Sequence, residues 1–158
     1  MARTRDEFER DLEAAKRAST GQLLIRTARF FNERAIAKGR TLRGLNLRPA
    51  HTALFAHLSL EGTRVTSLAE KMGITKQAVG QIVAELEQAG VLCRTPDPSD
   101  GRAKLVRFTA AGYSALLAGF GALREVEGEL ATELGEALMS RLNRDLAKLL
   151  SAFEGASP

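Results

Sequence analysis

Three polar side chains, Lys76, Gln77 and Gln81, hold the predicted outward positions at the start of a helix. Glutamine can form paired hydrogen bonds with adenine, and lysine can donate to guanine, in the major groove of duplex DNA. Thr75 precedes them, where its hydroxyl can cap the helix and also reach a phosphate, because the amide-rich start of a helix favours an anion. These residue types in this order predict contacts with the bases and backbone of a nucleic acid.

A helix-turn-helix is the element that would hold these side chains in place. It needs a small residue where its helices cross, a glycine in the turn and apolar residues at fixed offsets. Residues 65–86 supply them as Ala69, Gly73, Leu68, Met72, Ile74, Val79 and Ile82. We predict a first helix capped by Thr66 or Ser67, with Ser67 also a candidate DNA contact, and a second helix over about 76–89. Taken alone, the same spacing also fits an ordinary pair of packed helices.

A β-hairpin predicted directly after the second helix favours the DNA-binding interpretation. Residues 91–94 and 105–108 are β-like runs, and the segment 96–101 between them is dense in turn formers. Arg102 and Lys104 lie near the predicted tip, as in a wing that follows the phosphate backbone and probes the minor groove. A helix pair followed by a basic wing is much less expected by chance than a helix pair alone.

Long helices are predicted at both ends of the chain. The first covers about 6–38, a loop follows over 39–48, and a shorter helix covers about 49–60. After the hairpin, two more helices are expected, with a break between Gly128 and Gly135. Leucines at every fourth position over 130–146 form an apolar seam. Because a chain this short cannot cover the seam with its own core, a second copy is expected to cover it.

Charge is concentrated in the middle of the 158-residue chain, which carries a formal net charge of +4. Residues 38–107 hold 11 basic and 6 acidic side chains, whereas the flanks together hold 12 basic and 13 acidic ones. A basic centre suggests a polyanionic partner, although charge alone does not separate DNA from RNA or an acidic protein. The sequence offers no stretch suited to a membrane span or a secretory signal, so a cytoplasmic location is predicted.

The segment Asp97-Pro98-Ser99-Asp100-Gly101-Arg102, followed by Val106, Phe108-Thr109 and Gly112, resembles the D-P-x-D-G-R wing signature of the MarR family of regulators. Gln77-Ala78-Val79, Leu86-Glu87 and Gly90 also match the family pattern, whereas Arg48 and Phe108 depart from it. The resemblance implies a mainly α fold with a small β-hairpin wing. It implies a winged helix-turn-helix DNA-binding region over 39–109, and a helical dimerisation region over 1–38 and 110–158, within a single domain.

In function, the resemblance implies a homodimer that binds a pseudo-palindromic double-stranded DNA operator and regulates transcription. It implies a repressor released by a small aromatic or phenolic effector. It also implies that Arg102 enters the minor groove and that Asp100 fixes it, and a short carboxylate can hold a guanidinium through charge-assisted bonds. The alternative is a helical dimeric module for protein interaction or ligand sequestration that does not bind DNA specifically.

Other reactive side chains have mostly structural interpretations. Cys93, the one cysteine, cannot form a disulfide within the chain and is interpreted as a half-buried packing residue. His51 and His57 are six residues apart on a helix and do not converge on a metal. His51, Phe30 and Phe31 are candidates for an effector pocket, next to their interpretation as core residues. With no catalytic constellation or phosphate loop, we predict no enzyme activity, cofactor or metal.

Overall fold

The computed structural model describes residues 4–39, 41–42 and 45–155. Residues 1–3 and 156–158 of the predicted dimerisation region, and residues 40, 43 and 44 of the predicted loop, lie outside this description. In chain order the elements are α1 (Arg5–Ala18), α2 (Thr20–Gly39), β1 (Thr41–Leu42), β2 (Leu45–Asn46), α3 (Pro49–His57), β3 (Thr63–Arg64), α4 (Val65–Met72), α5 (Lys76–Gln88), β4 (Leu92–Asp97), β5 (Asp100–Phe108), α6 (Ala110–Leu134) and α7 (Glu136–Gly155). The predicted fold class, mainly α with a small β-hairpin wing, is confirmed.

The N-terminal region contains two helices, so the prediction of one helix over 6–38 is wrong. Ser19 separates them with an extended backbone, φ −82° and ψ 112°. Its hydroxyl accepts a hydrogen bond from the backbone N–H of Gln22 at 3.3 Å. Serine often satisfies free N–H groups in this way, and here it starts a new helix rather than continuing the old one.

The region between α2 and α4 also differs from the prediction. The expected loop over 39–48 contains a short antiparallel pair, in which Thr41 faces Asn46. The helix α3 ends at His57, three residues before the predicted end, and Gly62 with φ 96° turns the chain into β3. Arg64 stands at the N-cap of α4, so neither Thr66 nor Ser67 is its cap.

The core of the winged region lies between α3, α4 and α5 and a three-stranded sheet of order β3-β5-β4. Val79 and Ile82, predicted to pack the second helix onto the first, are buried on α5 together with Val83 and Leu86. The hairpin register runs from Leu92 opposite Phe108 to Asp97 opposite Asp100. The strand β3, which the sequence analysis missed, pairs with β5 and joins the helix-turn-helix to the wing.

The long helices α6 and α7 extend from the winged region and meet at Gly135, whose φ is 93°. This break falls inside the interval predicted for it. The Lys38 ammonium group ties α2 to α6 through Glu129 at 2.6 Å and Glu125 at 3.4 Å. Four leucines of the seam are 37 to 51% exposed in the single chain, namely Leu134, Leu138, Leu142 and Leu146. No helix in the described ranges is both long enough and apolar enough to span a membrane.

Candidate DNA-binding surface

The turn before α5 fixes where the predicted base-reading side chains begin. Gly73 takes the left-handed conformation at φ 64° and ends α4. Thr75 caps α5 as predicted, because its hydroxyl accepts the backbone N–H of Ala78 at 3.2 Å. The cap leaves the first turn of α5 with its polar side chains pointing into solvent.

The polar residues predicted to contact DNA are exposed on α5. Lys76, Gln77 and Gln81 are all exposed, while Ser67 in the first turn of α4 is half-buried. Gln77 and Gln81 are one helical turn apart and therefore share a face. This arrangement gives α5 a polar outer face over its buried apolar stripe.

The wing carries two exposed cations of its own. Arg102 and Lys104 are exposed on β5, and neither forms an ion pair with any residue that the structure describes. Asp100 accepts the backbone N–H of Arg102 at 3.1 Å. The carboxylate thus orders the backbone at Arg102, whereas the predicted contact is with its guanidinium.

The base of the wing contains an ion pair that the sequence analysis missed. Asp97 is 7% exposed, and its Oδ2 accepts from Nε and Nη2 of Arg64 at 2.7 and 2.6 Å. Its Oδ1 accepts from the backbone N–H and hydroxyl of Ser99 at 2.8 and 2.7 Å. The hydrogen bonds from Ser99, then the Arg64 guanidinium, lower the pKa of Asp97 to about 2. The two bonds to Ser99 follow from an Asp-Pro-Ser turn, but the partner on β3 does not.

A second polar cluster joins α3 to α5. The His51 ring is fully buried, and its Nδ1 accepts the backbone N–H of Arg48 at 3.0 Å. Its Nε2 therefore carries the ring proton and donates to Oε2 of Glu85 at 2.9 Å. The Arg48 guanidinium bonds the same oxygen. Arg48 and then His51 hold the pKa of the Glu85 carboxyl below its usual value. His51 thus accepts the backbone N–H of the N-cap residue of α3, while the Arg48 side chain makes no capping bond.

A cavity of about 520 Å³ opens between α2, α3 and α6. Its described lining is apolar except for Asn32 and Thr52. Phe30, Phe31 and His51, the predicted pocket residues, do not line it. Phe30 is half exposed under the guanidinium of Arg29, Phe31 is half-buried, and His51 belongs to the cluster with Glu85. The part of the wall that α6 supplies contains small residues such as Ala115 and Ala118 and larger ones such as Leu116 and Phe120.

The surroundings of Cys93 and the arrangement of possible metal ligands complete the description of the candidate residues. Cys93 is half-buried on β4, beside Arg94, whose guanidinium pairs with Glu87 at 3.4 Å. Within the described ranges, no group of three or more histidine, cysteine, aspartate or glutamate side chains is arranged to hold a metal ion.

Comparisons with known proteins bear on the whole arrangement. The sequence model of the MarR family matches residues 44–103, and a comparison with curated proteins finds no match. A probable transcriptional regulator from Pseudomonas aeruginosa is 27% identical, with a TM-score of 0.56, 84% of this chain and 97% of that chain covered. CouR from Rhodococcus jostii RHA1, bound to p-coumaroyl-CoA, is 24% identical, with a TM-score of 0.60 and coverage of 85% and 93%.

The transcriptional repressor CouR is also similar in a structure bound to a 23-mer DNA duplex, at 24% identity and a TM-score of 0.60. There 84% of this chain and 92% of that chain are covered. The match of the family model spans the helix-turn-helix and the wing tip, and the similarity in fold extends over the long helices. In residues 44–103 this chain is therefore similar to the MarR family, and its fold is similar to that of solved transcriptional regulators.

Proposed function

We propose that the chain binds double-stranded DNA in a sequence-specific manner and regulates transcription. One observation carries the proposal: the start of α5 and the wing strand β5 both carry exposed cations without an ion pair among the described residues. Lys76, Arg102 and Lys104 have no ion-pair partner in the described part of the chain. Such cations are available to neutralise phosphates, while Gln77 and Gln81 are available to read base edges.

The DNA-binding form is proposed to be a homodimer. The seam over 130–146 and the apolar residues of α7 are too exposed for a helix that has no partner, since no residue of α7 is buried. A second copy would cover them and present α5 twice. Two such helices read a pseudo-palindrome with half-sites about 34 Å apart. On this proposal the predicted region over 1–38 and 110–158 serves dimerisation, and the region over 39–109 serves DNA binding.

The apolar cavity is proposed to take a small-molecule effector that releases the repressor from DNA. It lies against α3, between the winged region and the long helices, so an occupant there contacts both. An effector shifts the protein only if it prefers one arrangement of these parts over the other. The similar repressor CouR has been solved with p-coumaroyl-CoA and with a DNA duplex, which supports this proposal without naming the effector of this chain.

Salt titration tests the proposal first. Lys76, Arg102 and Lys104 of each protomer give six cations in a dimer, and six phosphate contacts predict a slope of log affinity against log salt of about −5. Affinity for a duplex chosen by randomised-site selection should thus fall about 1,000-fold between 50 and 200 mM salt. Fluorescence anisotropy measures it. A shallow slope would favour the alternative module for protein interaction or ligand sequestration, whose apolar interface responds little to salt.

Arg102→Ala provides the residue-level test. The substitution should weaken DNA binding about 10-fold or more and reduce the salt slope, with unchanged far-UV circular dichroism, because Arg102 makes no side-chain bond in the described fold. Arg144→Ala on α7 removes the same charge far from the wing and should leave affinity nearly unchanged. If the two variants bind DNA equally well, the wing has no part in the interaction.

A further inference from the structure

The helix α3 stands between the cavity and α5. Thr52, Ala53, Phe55 and Ala56 of α3 line the cavity. Leu54 and His51 are buried toward the winged core. With about 100° between successive residues, His51 and Ala53 point roughly 160° apart. A molecule that presses on the cavity wall therefore presses on a helix whose far side contacts α5.

Directional bonds join that far side to α5 at a single residue. Glu85 accepts from His51 at 2.9 Å and from the guanidinium of Arg48, both of which belong to the start of α3. Because His51 is fully buried, breaking its bond would leave an N–H without a partner, which costs more than a lost exposed contact. The two helices are thus expected to move together at this point. Apolar contacts alone would allow them to slide, since they are not directional.

The position of Glu85 on α5 gives this link a functional meaning. Gln77, Gln81 and Glu85 follow one another at intervals of four residues, so each lies about 40° around the helix from the previous one. A bond that fixes Glu85 also fixes the rotation of α5 about its own axis. The rotation decides which way the two glutamines point.

We propose that Arg48 and His51 are positioning residues that, through Glu85, couple the cavity wall to the rotation of the DNA-reading face of α5. The proposal rests on the DNA binding and the effector site proposed above, and it adds the path between them. Displacement of α3 by an occupant of the cavity turns or shifts α5 through this cluster. A different ion pair, that of Arg64 with Asp97, joins β3 to the wing.

A tethered occupant tests the coupling without a known effector. Ala115→Phe on α6 places a ring into the cavity, since Ala115 is half-buried in its wall. DNA affinity, measured by anisotropy on the selected duplex, should change about 10-fold, within the usual range of coupling between sites. In a Glu85→Ala background the same substitution should change affinity about twofold or less. Glu85→Gln, whose amide oxygen still accepts from His51, should restore most of the effect.

A matched control lies two residues away on the same helix. Glu87 is similarly half-buried and pairs with Arg94 of β4 instead of with α3. In a Glu87→Ala background, Ala115→Phe should keep its full effect on affinity. Should Glu85→Ala fail to fold, Arg48→Ala replaces it, because Arg48 is 54% exposed and its loss leaves the buried bond of His51. That variant should lose part of the coupling.

The outcomes separate the two proposals. If the parent protein binds no duplex at low salt, the proposed function fails before the coupling is tested. If it binds, and Ala115→Phe changes affinity equally with and without Glu85, the proposed path is overturned. It is also overturned if Ala115→Phe leaves the affinity of the parent unchanged, or if Glu87→Ala removes the effect as completely as Glu85→Ala.

Discussion

The junction between the wing and the long helices should be intolerant of a single methyl group at Gly112. A Cβ atom built there lies 2.0 Å from the carbonyl oxygen of Val91 and 3.2 Å from Cδ1 of Phe108. Ordinary contact begins near 3.4 Å, so the backbone of α6 must shift by more than about 1 Å. That shift strains the bonds of Thr109, whose hydroxyl donates to the carbonyl of Gly90 at 2.6 Å and accepts from Gly112.

The cost can be estimated from these contacts. Overpacking against a fixed backbone atom costs about 3 kcal/mol, and alanine returns about 1 kcal/mol over glycine in a helix. Gly112→Ala should therefore lower stability by about 2 kcal/mol, or the thermal midpoint by about 4 to 8 °C in a chain of this size. Differential scanning calorimetry at one protein concentration measures this, since the midpoint of a dimer depends on concentration.

Gly128→Ala, farther along α6, is the matched control and should change the thermal midpoint in the opposite direction. A Cβ atom there meets nothing within 4 Å. Only the gain in helix propensity remains, so its midpoint should rise by about 1 to 4 °C. Equal midpoints for Gly112→Ala and the parent would refute the argument, because they would mean that α6 does not pack against Val91 as closely as described.

Three further predictions concern α5 and the wing. Gln81→Ala should change the preferred sequence in a randomised-site selection more than it changes affinity for unrelated DNA, and an unchanged preferred site would count against base reading. The pKa of Asp97 is depressed from 3.8 to about 2, so its contribution to stability is complete above pH 4 and is lost as pH falls toward 2. In Asp97→Asn the free energy of unfolding should fall less between pH 4 and pH 2 than in the parent. An equal fall in the two proteins would contradict the role of the ion pair. Thr75→Val should cost about 1 kcal/mol in denaturant unfolding, through loss of the cap on α5, and no loss would mean that the cap is dispensable.

Local patterns predicted the helices and turns whose signals lie within a few residues. The Thr75 cap, the turn at Gly73 and the packing of Val79 and Ile82 each depend on neighbours less than one or two turns away. The prediction of a single long N-terminal helix was wrong for a related reason. Apolar residues recur on both sides of Ser19, but its extended backbone and its hydroxyl bond to Gln22 start a new helix there.

Pattern and spacing could not predict contacts between residues that are distant in sequence. Arg64 and Asp97 are on different strands, and His51 and Glu85 are on different helices, so no local periodicity relates either pair. The cavity was not predicted for the same reason, because the helices that line it are distant in sequence. Phe30 and Phe31 were predicted to line a pocket, whereas the cavity is lined by two other phenylalanines, Phe55 and Phe120, together with alanines and glycines of α2, α3 and α6.

The ion pairs also change how the charge of the central region should be counted. The sequence shows a surplus of basic residues there, but four of the cations, Lys38, Arg48, Arg64 and Arg94, are engaged with carboxylates and build the fold. Those left without an ion pair in the described ranges include Lys76, Arg102 and Lys104, which lie on α5 and the wing. Since only unpaired cations can neutralise phosphates at no cost to the fold, the salt dependence of DNA binding should follow their number rather than the total charge.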